Sequence, residues 1–298
     1  MYQYYNMIQY NPKDWLSFIF RFHKSDTFRK LWPMIVLICF YAGIVAFFEI
    51  NYWKWTESNK VKNIVVMHSL LGFVISLLLV FRTNTAYDRW WEGRKLWGSL
   101  VNNSRNLALK MNALLPKNDT QSRTFFKSFI PQYAVALKNH LRSEATRLEL
   151  DEAMHPELAE IDHDKHLPNQ LAAVLFKKVN TLFETGKIKG EQLLIINSEL
   201  QSFTETCGAC ERIKNTPIPI SYSAFIKKFI FFYVMTLPWG YVFNLGYLVI
   251  PVVGFIFYVL ASLELIAEEI EDPFGTDSND LPMDKMCANI QKQVEELL

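Results

Sequence analysis

From Ile64 to Phe81 the chain runs 18 residues without a charged side chain. As a helix at ~1.5 Å per residue this run is about 27 Å long, close to the thickness of a bilayer core. It passes directly into Arg82-Thr-Asn-Thr-Ala-Tyr-Asp-Arg-Trp-Trp-Glu-Gly-Arg-Lys-Leu-Trp-Gly98, a stretch rich in the Arg and Trp that occupy a membrane interface and then water. No proline interrupts the join, so the pattern predicts one helix that leaves the bilayer and continues into the cytosol. Three further apolar stretches are spans by the same reading: Leu31–Ile50, Phe225–Phe243 and Tyr247–Ile266, the last two interrupted by Pro238, Gly240, Pro251 and Gly254. The pattern therefore predicts four spans.

The faces of the 64–81 helix are unequal. At 100° per residue Val65, Ser69, Gly72, Phe73 and Ser76 share one stripe, while Met67, Leu70, Val74, Leu77 and Leu78 take the opposite side. Small residues on one stripe let helices pack closely. A stripe of small and weakly polar groups narrowed by an aromatic residue is also what borders a pore. Periodicity leaves both readings open.

Composition agrees with a chain of mixed character. Hydrophobic residues make up 50% and charged residues 20%, and the net charge of +1 points neither to nucleic acid nor to a polyanionic partner. Basic residues precede the first span (Lys13, Arg21, Lys24, Arg29 and Lys30), which places both termini in the cytoplasm by the positive-inside rule. The external loops are then short, about 51–63 and 244–246, and most of the soluble mass is cytoplasmic. The first thirty residues do not read as a signal peptide, so the first span directs insertion. Cys39, Cys207, Cys210 and Cys287 imply no disulfide framework.

Between the span pairs, 83–221 reads as helical, with helices at 83–114, 122–148, 168–185 and 190–214 and a polar loop from His155 to Asn169. No phosphate loop and no Ser-His-Asp grouping occurs, so no enzyme is expected. Asp162-His-Asp-Lys-His166 carries metal-binding side chains but reads as a solvated loop, and Cys207-Gly-Ala-Cys210 has redox spacing but reads as helix packing. Glu264, Glu268, Glu269, Glu271 and Asp272 crowd the end of the fourth span, where carboxylates oppose the helix dipole. Either a bound cation or Arg and Lys from neighbouring helices must offset them.

Three motifs in order carry a family resemblance: Phe81-Arg-Thr-Asn-Thr-Ala-Tyr-Asp-Arg-Trp-Trp-Glu92, Cys210-Glu-Arg-Ile-Lys-Asn-Thr-Pro-Ile-Pro-Ile-Ser-Tyr222 and Glu271-Asp-Pro-Phe-Gly-Thr-Asp-Ser-Asn-Asp-Leu-Pro282. Together they resemble the bestrophins, in their bacterial branch, over nearly the whole chain. The resemblance implies an all-α membrane protein: 1–82 with spans 1 and 2, a cytosolic helical domain at 83–221, spans 3 and 4 at 222–272, and an acidic motif and tail at 273–298. It implies a homopentamer in the inner (plasma) membrane, multi-pass, conducting small monovalent ions through an axial pore. The second span would form the neck at Val65, Ser69 and Phe73, where Ser69 departs from the bulky apolar residue usual in the family. A cytosolic constriction would fall at Glu191, or at Leu194 one turn away. Five glutamates there would favour cations, with a chloride or anion channel as the alternative. No cofactor is required. Calcium, if used, would be held by Asp277 and Asp280 with carbonyls near Glu269 and Asp272, although the same segment can instead serve as a structural turn. A secondary transporter or a membrane scaffold fits less well, because the spans carry little mid-membrane charge.

Overall fold

The computed structural model describes residues 27–54, 64–144, 161–162 and 165–298. Lys13, Arg21 and Lys24, the 55–63 part of the first loop, and most of the 155–169 loop lie outside the described residues. The elements in chain order are α1 (Thr27–Phe48), which runs into one wide turn at Glu49–Trp53, then α2 (Ile64–Leu114), α3 (Thr120–Arg142), α4 (Leu167–Glu184), α5 (Gly190–Asn215), α6 (Ile220–Leu245), α7 (Val249–Glu271) and α8 (Met283–Leu297). No strand occurs among the described residues.

The chain divides into two units. One comprises the described residues up to Arg89 together with Pro217–Asp272. The helical stretches Thr27–Trp53, Ile64–Leu114 and Ile220–Glu271 are long and apolar enough to cross a membrane, and the second belongs to this unit as far as Arg89. The third folds back at the tight turn Gly246–Leu248 into the antiparallel pair α6 and α7, as the 2.8 Å Lys227–Glu268 ion pair near their far ends shows. Helix α1 runs antiparallel to α7, with Thr27 beside Ser262 at one end and Cys39 beside Ile250 further along. Ile38, Ala42, Ile75, Leu79, Ile230, Val234 and Val253 form this unit's core.

The other unit comprises Trp90–Thr216 with Pro273–Leu298. Its core gathers Trp97, Phe125, Phe126, Phe129, Tyr133 and Phe203, together with Phe274, Leu281 and Met283 from the tail. Local signals set its helix ends. The Asp119 side chain accepts from the Ser122 amide at the start of α3. Helix α3 stops earlier than the expected 148, because Ser143 adopts a left-handed conformation (φ 57°) and its N–H bonds back to the His140 carbonyl. The division therefore falls at 89/90 and 216/217 rather than at 82/83 and 221/222, and the 273–298 tail is part of this helical unit rather than separate from it. The reason is packing: Trp97, Phe274 and Leu281 are buried in one core.

Candidate functional site

Helix α2 is one uninterrupted helix of 51 residues, about 77 Å long at ~1.5 Å per residue. From Ile64 to Arg89 one face of this helix is buried against the rest of the same unit: His68, Ile75, Leu79, Arg82 and Ala86. These positions lie within about 60° of one another at 100° per residue. The neck candidates point elsewhere. Val65 is half-buried, Ser69 is exposed, and Phe73 is 70% exposed. Leu70, Val74 and Leu77 on another side are exposed as well.

Within the stripe, Gly72 is explained by contact inside its own chain, since a Cβ there would stand 2.8 Å from the Tyr233 hydroxyl. The two serines donate to the backbone one turn back, Ser69 Oγ to the Val65 carbonyl at 3.1 Å and Ser76 Oγ to the Gly72 carbonyl at 2.7 Å. Their hydrogens are thus spent on the helix, and what each presents outward is an acceptor oxygen.

Below this stretch Arg82 joins the carboxylates that crowd the end of α7, a pairing that the sequence did not disclose. Arg82 is only 1% exposed. Its Nη2 donates to Glu271 Oε2 at 2.6 Å, and its Nε stands 3.6 Å from Glu264 Oε1. Glu271 is further held by the Ile218 amide (2.7 Å), and its carbonyl accepts from Arg89 Nε (3.0 Å). Glu269 pairs with Lys30 at 2.5 Å and Glu268 with Lys227 at 2.8 Å. Arg and Lys from other segments thus meet the carboxylates at the end of α7, one of the two offsets the helix dipole required. The signal for Arg82 was its register: it continues the buried 68, 75, 79 series by one more turn.

The two constriction candidates sit in the first turns of α5. Glu191 is exposed, and Leu194, a bulky apolar side chain, is 74% exposed beside the exposed Ile195. Gln192 starts this helix by accepting from the Lys189 amide at 2.8 Å.

The four calcium candidates are divided between the units, Glu269 and Asp272 in one and Asp277 and Asp280 in the other. Asp280 is buried and accepts the Asp277 amide on Oδ2 at 2.6 Å, while the Asp277 side chain is exposed. The Leu281 amide closes the loop on the Pro273 carbonyl at 2.9 Å. The loop is fastened to α2 by the Trp90 indole, which donates to the Asn279 carbonyl at 3.0 Å. Gly93 of α2 lies close against the same loop, where a Cβ would stand 3.1 Å from Pro273 Cγ and 3.2 Å from the Phe274 ring.

The family model for bacterial and fungal bestrophin proteins matches residues 6–296. The chain belongs to the bestrophin family. A voltage-dependent anion channel-forming protein of Synechocystis is 32% identical over 97% of this chain and 93% of its own length. Another of that name from Nostoc is 36% identical over 76% of this chain and 75% of its own. A crystal structure of a mutated bacterial bestrophin homologue from Klebsiella pneumoniae superposes with a TM-score of 0.79 at 28% identity, covering 90% of this chain and 98% of that one.

Two other features of this bestrophin resolve differently from each other. Cys207 and Cys210 are buried free thiols packed in the helical core. Burial, reinforced by the negative charge of Glu211, pushes Cys207 up to about 12, so it stays protonated and unreactive. The Tyr133 hydroxyl beside them donates to the Phe203 carbonyl at 2.7 Å. The Asp162–His166 stretch, expected to be solvated, does more. His163 and Asp164 lie outside the described residues and Asp162 pairs with Lys165 at 3.0 Å. His166, however, caps α4 and joins His140 on the carboxylate of Glu211. Sequence spacing gave no hint of this, since the three come from separate helices.

Proposed function

We propose that this bestrophin is an ion channel, assembled as a homopentamer around an axial pore whose neck is formed by α2 at Val65, Ser69 and Phe73. The observation that carries the reading is the face of α2 holding those residues. Ser69 and Phe73 on it are exposed and Val65 is half-buried, while the His68–Arg82 face is packed. A helix so divided is suited to an assembly in which the free faces meet either other copies or the ion path. On this reading α1, the apolar half of α2, α6 and α7 are four spans in the plasma membrane, and both termini are cytoplasmic.

The sign of the permeant ion leans toward anions, because relatives matching almost the whole chain are named anion channel-forming. Glu191 works the other way: five exposed carboxylates at one constriction would outweigh the roughly +0.5 charge of each helix N-terminus. Leu194, if it is the residue on the axis, selects mainly by size and leaves the sign to the rest of the vestibule. For the acidic loop we favour a structural role, since the carboxylate of Asp280 is turned onto its own loop's backbone.

One reconstitution tests these points together. Mass measurement in detergent should give a pentamer, and a monomer or dimer would remove the pore. In planar bilayers under a KCl gradient the reversal potential should lie on the anion side. Glu191→Gln should move it further in that direction if Glu191 lines the path, and leave it unmoved if Leu194 does. Stepping free calcium should leave the current unchanged; a calcium-dependent current would return Asp277 and Asp280 to a ligand role.

A further inference from the structure

The chain between α3 and α4 begins and ends at one carboxylate. His140, in the last turn of α3, places Nε2 2.6 Å from Glu211 Oε1, and His166, the N-cap of α4, places its Nε2 2.6 Å from the same oxygen. The two imidazole centroids are 4.4 Å apart. Among the described residues these are the ones whose metal-type ligand atoms converge, all within 4.8 Å of one another. We propose that His140, His166 and Glu211 form a binding site for a divalent transition metal ion of the zinc class.

The donor chemistry supports it. Two imidazole nitrogens and one carboxylate oxygen are a three-ligand set for such an ion, with a fourth position left to water. Both imidazole Nε2 atoms converge on one oxygen of Glu211, so a single ion could replace the two hydrogens that this carboxylate now accepts. All three side chains are only half-buried, so an ion has a route in. The neighbouring thiols of Cys207 and Cys210 are held protonated by burial and offer no thiolate. Two cations stand nearby and moderate the affinity. Lys214 bonds the His140 carbonyl at 3.3 Å and Ser143 Oγ at 2.7 Å, while Arg212 is drawn to Glu92 at 2.8 Å.

The metal-free arrangement is itself a satisfied network. His166 Nδ1 accepts the Asn169 amide at 3.2 Å, so its Nε2 carries the hydrogen donated to Glu211. An ion at Nε2 moves that hydrogen to Nδ1, and the Asn169 amide loses its acceptor. At metal–ligand distances near 2.0–2.1 Å and tetrahedral angles, the ligand atoms would also separate to roughly 3.3 Å. Metal binding thus has two signatures that a purely hydrogen-bonded trio lacks: the spectrum of the ion, and uncapping at the start of α4.

The test uses the full chain in detergent, stripped with chelator and titrated with Co²⁺. Visible ligand-field absorption should grow, saturate at one ion per chain and be displaced by Zn²⁺, and the Asn169 amide should exchange faster in the metal-bound protein. The double variant His140→Gln/Glu211→Gln, which retains His155 and His163, should lose at least about tenfold in affinity. Zinc-edge X-ray absorption on the unmodified protein gives a reading that does not depend on the variant folding, and should report imidazole nitrogens in the shell. Absence of saturable absorption, a shell of oxygen only, or a variant that binds as tightly as the parent would overturn the site. Current is measured in none of these arms, so the outcome is independent of the channel reading.

Discussion

The two units of this bestrophin treat large apolar side chains in opposite ways. In the helical unit Trp97, Phe126, Phe129, Tyr133 and Phe203 are sealed inside. In the membrane-type unit Phe40, Phe73, Leu70, Phe232 and Phe255 are exposed. Water forces the first arrangement, because each buried aromatic removes a large apolar area from contact with it. Lipid imposes no such demand, so a spanning helix needs only enough internal contact to fix its neighbours and keeps its remaining faces for tails, other copies or a pore. Charge shows the converse. The ion pairs of the helical unit are partly exposed, whereas Arg82 is enclosed with Glu264 and Glu271. Where apolar burial is weak as a driving force, a buried charge cluster holds α2 to α7.

That contrast predicts the largest effect at Arg82. Arg82→Leu leaves two carboxylates enclosed without their cation and should cost about 3–5 kcal/mol, seen as a lower melting temperature in detergent or as loss of folded material. Arg82→Lys should recover part of it, because a charge returns without the two-pronged reach. A change within about 0.5 kcal/mol would mean that the cluster is solvated and that the contrast of charges is wrong.

The contrast of aromatics is sharpened by a matched pair. Phe129→Ala opens a cavity in a water-facing core and should destabilise by about 3–4 kcal/mol. Phe73→Ala removes the same side chain from an exposed position and should cost under about 1 kcal/mol, while raising conductance if the neck lies where we propose it. Equal losses of stability in the two variants would show that Phe73 is a packing residue between copies. An unchanged current with a sound fold would move the narrowest point to the cytosolic end.

Much of the fold could be read from the chain because its strongest signals are local. The uncharged run from Ile64, the absence of proline as far as Leu114 and the turn residues near Gly190 each act within a few positions, and α2 and α5 follow from them. The far end of α3 was misjudged because Ser143 reveals its left-handed conformation only once the helix is built. The stripe holding Val65, Ser69 and Phe73 was visible by periodicity, but its glycine was not interpretable without Tyr233, which lies far along the chain. Arg82 stands within a motif of the family resemblance, yet its burial depends on Glu264 and Glu271 from another helix. The meeting of His140, His166 and Glu211 is of the same kind: long-range charge chemistry leaves no period in a sequence.

The smallest effect expected concerns how the tail is held in the helical unit. Asp284, in the first turn of α8, accepts from Lys138 Nζ at 2.8 Å and from Arg142 Nη1 at 3.0 Å, both on α3. Burial tends to raise its carboxyl, but the hydrogen bonds and charges of Lys138 and Arg142 prevail and hold it below its ordinary value of 3.8. A carboxyl depressed in the folded state stabilises fully above its unfolded pKa and ceases to do so as pH falls through the folded one. Asp284→Asn should therefore lower stability at pH 7 by about 1 kcal/mol, discounted for partial exposure. The gap to the parent protein should close as the melts are taken from pH 5 down toward pH 2–3. A gap that persists unchanged into acid would assign the loss to altered packing of α8 rather than to the ionised carboxylate. A gap that widens in acid would reverse the sign of the linkage and refute the pairing itself.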